Sequence, residues 1–246
     1  MEYDKDIEQL NLNDIEKNGL QVYRNYTRGF EEQRIKDFVH ECDKKEYEGL
    51  ENLEQVLGLI IKEDMKYLPI ILCSYADECF EKQLKNIIPE GVPGGAKSIL
   101  DGFGSLSSFS NRIQVAYIFN LIDKEVLLEL NSFRKIRNDF AHKWDLDKNN
   151  MKLREGIDSR KLKIEDILLN NGQIRDELDE EKKWKCHLIW LVGRIFYETE
   201  LYFYCQQQGL DPNKVLYVKK SRPQLLKDIS KLCNLFLSKL INDYQQ

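Results

Sequence analysis

Apolar side chains recur along most of this chain at steps of three and four, the period of a helix with one buried face. Ile35, Phe38, Val39 and Cys42 set that step within Glu31 to Lys45. Leu50, Leu53, Val56, Leu57, Ile60 and Ile61 continue it from Tyr47 to Lys62, interrupted by Gly49 and Gly58. The pattern next predicts a longer helix over Tyr67 to Ile88. Pro69 fits its first turn, where a missing N–H costs little. Ile70, Ile71, Cys73, Ala76, Phe80, Leu84 and Ile87 give its buried stripe, with Asp77, Glu78 and Glu81 off it. Pro89 and Gly91 stop this helix, residues 91–95 (G-V-P-G-G) read as a loop, and Ser98 to Ser110 as a turn-rich link. Ser108 or Ser110 caps a helix over Asn111 to Leu121, and Asp123 caps the next, Lys124 to His142. Leu178 to Gln208 is apolar on both sides: Trp184, Leu188, Leu191, Ile195 and Tyr202 on one, Ile189, Trp190, Phe196 and Phe203 on the other. Such a helix belongs at the centre of a core or is shared with a second subunit. Gly209 ends it, and a last amphipathic helix spans about Pro223 to Tyr244.

Two stretches break the pattern. Residues 1–28 space their apolar positions unevenly and read as a loosely structured arm with short helical pieces. Residues 143–177 are charged and carry N-N and N-G turn signals, an excursion between two core helices. No run alternates as a strand does. The expectation is an all-α protein: an N-terminal helical extension over 1–62, then a helical domain over 63–246 with 143–177 as an insertion.

Composition narrows the function classes. The chain has 246 residues, 42% hydrophobic and 32% charged, ample for a core. Its net charge of -5 gives no bulk attraction to nucleic acid, so such contact requires a local basic patch. No window approaches the ~18 apolar residues of a membrane span, and the acidic start lacks a signal peptide's apolar region. The six cysteines, none in a C-x-x-C pair, point to reduced, buried thiols and a cytoplasmic location. Three histidines without metal-ligand spacing predict no metal site, and no cofactor-binding pattern is present.

Candidate chemistry concentrates in Asn131 to His142 (N-S-F-R-K-I-R-N-D-F-A-H). At about 100° per residue, Phe133, Ile136 and Phe140 fall within an arc of about 60°, and Arg134, Arg137, Asn138 and His142 within another of about 140°. Asn138 and His142 are one turn apart, so their side chains meet. Guanidinium groups fork onto phosphate, and histidine moves protons near neutral pH. These are the parts for metal-free RNA cleavage, in which a ribose 2′-OH is the nucleophile and cations stabilise the phosphorane. A solvated helix end uses the same residue types.

The six residues Arg137 to His142 (R-N-D-F-A-H) resemble the R-x-x-x-x-H motif of HEPN-domain ribonucleases. The longer stretch Ile99 to His142 is similar to the mannitol-operon-repressor-like family, with its succession of G-x-L-x-x-F-S-x-R-I, L-I-D and R-K-I-R-N-x-F-A-H. The resemblance covers about the middle third of the chain. It implies a HEPN-like helical bundle and Arg137 and His142 as the catalytic pair, supported by Asn138. It also implies a homodimer in which two motifs share one cleft, RNA as substrate, and an antitoxin or regulatory protein as partner. The helix near residues 184–204 would then serve core and dimer at once. Where some HEPN toxins carry a tyrosine that a partner enzyme modifies, this chain has Trp144, so that mode of neutralisation is not expected.

Arg134, Arg112 and Lys143 are secondary candidates for substrate binding, with a structural ion pair the plainer role for Arg112. Lys219, Lys220 and Arg222 form a small basic patch, and His187 reads as a core histidine. The leading functional expectation is a metal-independent endoribonuclease, a toxin or anti-phage effector. The alternative is a non-catalytic transcriptional regulator acting through protein contacts, and a third reading is a dimerisation module. No basic recognition helix is present.

Overall fold

The computed structural model describes residues 2–44, 47, 49–142, 180–211 and 223–242, with the side chains of 140–142, 180, 203, 206 and 242 left aside. Nine helices and one short 3-10 turn make up these residues, and no strand is among them. The expected all-α class therefore holds. The helices are α1 (Lys5–Glu8), α2 (Asp14–Cys42), α3 (Leu50–Lys62), α4 (Leu68–Ile87), α5 (Gly95–Leu100), α6 (Phe109–Ile118), α7 (Lys124–His142), α8 (Glu180–Gln207) and α9 (Gln224–Asn242).

The N-terminal arm differs from its expectation. It is not a set of short pieces: α2 runs unbroken for 29 residues and absorbs the helix predicted over Glu31 to Lys45. Its start is fixed by a reciprocal cap, in which Asn13 Oδ1 accepts from Glu16 N and Glu16 Oε2 accepts from Asn13 N. α1 folds back on it and buries Ile7 completely. Asp4 then ties α1 to α2 through Arg24 at 3.1 Å, Arg28 at 2.8 Å and the Gln21 amide. The C-terminal half of α2 enters the core with Ile35, Phe38, Val39 and Cys42.

α8 is the axis of that core. Every residue from Lys185 to Thr199 is buried, and α3, α4 and α9 pack around it. Its two apolar sides are thus consumed within one chain, which leaves this stretch no face for a dimer. α9 packs tightly against α8 at Gly193, where an added Cβ would stand 2.8 Å from Cys233 Sγ and 3.1 Å from Ile229. α3 joins the same cluster through Leu53, Leu57 and Ile60.

α4 also follows its predicted bounds, with Pro69 in its first turn. Its buried line is Leu72, Cys73, Ala76, Phe80 and Leu84, rotated slightly from the predicted stripe so that Ile70 is exposed. α5 lies where loop and link were expected, entered through Gly94 and Gly95 at positive φ. None of the six cysteines forms a disulfide, and all but Cys79 are buried. Burial pushes the thiols of Cys73, Cys79, Cys205 and Cys233 up to about 12, so they stay protonated. No helix among the described residues is long and apolar enough to cross a membrane, and no metal-binding cluster occurs among them.

Candidate functional site

α7 begins where the sequence places it. Asp123 Oδ1 accepts the backbone N–H of Val126 at 3.0 Å, capping the first turn. The helix then buries Val126, Glu129, Leu130 and Phe133 against α4, α6 and side chains of α8. Phe133 meets Trp184 edge to face at 5.8 Å. Ile136 is only half-buried. On the helical wheel Arg137 lies close to the line of Leu130 and Phe133, so the polar arc adjoins the core stripe rather than opposing it.

That position decides what surrounds Arg137. The guanidinium stands 5.6 Å over the ring of Phe109, a buried residue in the first turn of α6 that is itself stacked on Phe80 at 6.3 Å. Nε and Nη2 both donate to Asn138 Oδ1, at 3.3 and 3.1 Å. Asn138 therefore orients the arginine. Both Arg134 and Arg137 are half-buried, and their charges are felt by Cys73 on α4. Arg134 Nε is buried with no hydrogen-bond partner among the described residues. The ion pairs of arginines among these residues belong to Arg24, Arg28, Arg112 and Arg194.

Arg112 is built into the wall beneath this face. Its Nη1 donates to Asp77 at 2.9 Å and Glu81 at 3.0 Å, Nε to the Leu106 carbonyl and Nη2 to the Leu100 carbonyl, both at 2.8 Å. The side chain is 6% exposed. It clamps the serine-rich link onto α4 and so fixes where Phe109 and Arg137 meet. Gly104 is required in that link, because a Cβ there would stand 2.2 Å from the Ile99 carbonyl oxygen. Ser108 provides the cap of α6 through Asn111 N. Burial raises the Asp77 carboxyl from its ordinary value, against the pull of Arg112 and, more weakly, Arg137.

His142 closes α7 on the turn after Asn138; its side chain, with Lys143, Trp144 and the 143–177 stretch, lies outside the described residues, as do Lys219, Lys220 and Arg222. The structure thus brings Arg134, Arg137 and Asn138 to one end of α7 and places Arg112 behind them.

Two further buried polar groups lie on α8, of which sequence reasoning missed the first. Arg194 on α8 bonds Glu198 through Nε at 2.6 Å, Glu125 through Nη1 at 3.0 Å and Asp123 through Nη2. Glu198 Oε2 also accepts from Asp123 N. Burial, opposed by Arg194, raises the Glu198 carboxyl to about 7. Its signal was an i,i+4 Arg–Glu pair inside an otherwise apolar helix. His187 Nε2 lies 2.9 Å from Glu129 Oε2, both buried, which agrees with a core histidine. No family model matches this chain, and neither a curated protein nor a solved structure is significantly similar to it.

Proposed function

We propose that the C-terminal end of α7 is the working face of a metal-independent HEPN-type endoribonuclease. The observation that carries this reading is the Arg137 guanidinium, held by Asn138 and the Phe109 ring without a carboxylate partner among the described residues. An arginine in that state keeps its full charge and an edge of donors for a phosphate. Arg134, on the same side and with an Nε that has no hydrogen-bond partner among the described residues, adds a second cation.

In this reading His142 takes the proton of a ribose 2′-OH. The 2′ oxygen attacks the adjacent phosphorus, the bond to the 5′ oxygen breaks, and the leaving oxygen gains a proton. Arg137 stabilises the extra negative charge of the phosphorane. The products are a 2′,3′-cyclic phosphate and a 5′-hydroxyl end. RNA incubated with the purified protein in chelator is expected to show those ends, and Arg137→Ala or His142→Ala to abolish them. Cleavage that survives both substitutions rules the reading out.

A second reading, a regulator working through protein contacts, is supported by Phe103. This side chain is fully exposed on the link between α5 and α6, inside the stretch that resembles the repressor-like family. An RNA-inert wild type that loses a protein partner on Phe103→Ala favours it.

A further inference from the structure

The N-terminal half of α2 carries large apolar side chains that this chain leaves bare. Ile15 is 83% exposed, Val22 53%, Tyr23 66%, Tyr26 72% and Phe30 60%. At about 100° per residue they share one side of the helix. The opposite side is occupied: Gln21, Arg24 and Arg28 hold α1 there, in line with the core residues Ile35, Phe38 and Val39. The bare line is not a random scatter. Ile15, Gly19, Val22 and Tyr26 are spaced four, three and four residues apart, the step of a helix–helix seam. Gly19 lies within that seam, yet a Cβ added to it would meet nothing within 4 Å. A helix-interior glycine is destabilising, and nothing in the chain's own packing calls for this one.

We infer that this side of α2 pairs antiparallel with the same side of a second copy of the chain. In an antiparallel arrangement centred between residues 20 and 21, Ile15 faces the second copy's Tyr26, and Gly19 faces its Val22. Each pair sets a smaller residue against a larger one, twice over by symmetry. A parallel pair in the same register sets Gly19 against Gly19 and Tyr26 against Tyr26, a gap beside a clash. The flanks agree as well: Glu16 comes beside the second copy's Tyr23 and Asn18 beside its Asn25, so no like charges meet. The exposed surface of the five side chains comes to about 700 Å² per chain, and covering it on both copies reaches the range of standard specific interfaces. The buried Lys185 to Thr199 stretch offers no competing face. This surface lies outside the stretch that resembles the ribonucleases and does not depend on the activity of α7.

Light scattering or sedimentation of the full chain over a concentration series tests the pairing. Wild type is expected at twice the chain mass, and Val22→Glu/Tyr26→Glu at the single mass with unchanged helical circular dichroism. A monomeric wild type overturns the inference and leaves this side of α2 to a different protein. A variant that stays dimeric also overturns it. Orientation is read by oxidative cross-linking, a measurement that stands even if the double variant unfolds the arm. An equimolar mixture of Ile15→Cys and Tyr26→Cys chains is expected to link one to the other. Self-linking of Val22→Cys chains without linking in the mixture overturns the antiparallel order.

Discussion

The two ends of α7 hold arginines in opposite states. At its start, Arg194 meets three carboxylates, one on each nitrogen, and is 4% exposed. At its other end, Arg137 bonds a neutral amide and lies over a ring. The first arrangement cancels the charge and locks the start of α7 to α8. The second retains the charge at the edge of the core, supported but unspent on any carboxylate among the described residues. An arginine's role therefore follows from what saturates it, more than from its burial or its place in a motif. Arg112, saturated by two carboxylates and two carbonyls, belongs with Arg194 although it lies beside Arg137.

The widest separation of the two states is expected on truncation. Arg194→Ala leaves Glu198 buried without its partner and is expected to cost about 3–5 kcal/mol in denaturant unfolding, the range for breaking a buried pair. Arg112→Ala is expected to cost less, about 2–3 kcal/mol, because Asp77 and Glu81 are 33% and 30% exposed and recover water. A loss at Arg112 well above that at Arg194 breaks the ranking.

The pH profile sharpens the comparison at the saturated end. Glu198 has a folded pKa of about 7 against an ordinary 4.5, so between those values the folded state keeps a proton the unfolded state has lost. Its contribution is full below 4.5, falls as pH rises, and is gone above about 7. The stability of wild type relative to Glu198→Gln is expected to decline over that interval by on the order of 1–3 kcal/mol and then level off. A rise with pH overturns the assignment, because it means that Arg194 outweighs burial. The smallest stability effect belongs to the unspent end: Arg137→Ala is expected to lower stability by about 1 kcal/mol or less while removing RNA cleavage. A loss equal to that of Arg112→Ala places Arg137 among the structural arginines.

The sequence showed α7 and α8 well, because their signals are local. Asp123 before a periodic run marks a start, and apolar residues all round a helix mark a centre. It did not show α2 as one helix. Gly19 and Gly29 weaken local propensity there, and the exposed stripe of Ile15, Val22 and Tyr26 does not line up with the buried stripe of Ile35 and Phe38. One period reading across both looks like noise. α5 was missed because Gly94 and Gly95 read as turn residues, although they stand at the start of a helix. At the candidate site, residue types were legible and partners were not. Apart from Glu198, four residues from Arg194, the carboxylates that meet Arg112 and Arg194 come from 31 to 71 positions away, a distance over which no spacing rule operates.

Gly193 extends the lesson to a place with no chemistry at all. The separation of the two long helices that meet there is set by a hydrogen atom, with Cys233 and Ile229 already at the limit of approach. One methyl group at this position is a wedge driven between α8 and α9, far along the chain from Arg137. Gly193→Ala therefore offers a heat-sensitive handle, expected to lower the melting temperature while every residue of the α7 face is retained. An activity lost in step with unfolding in that variant belongs to the assembled bundle and not to an isolated motif.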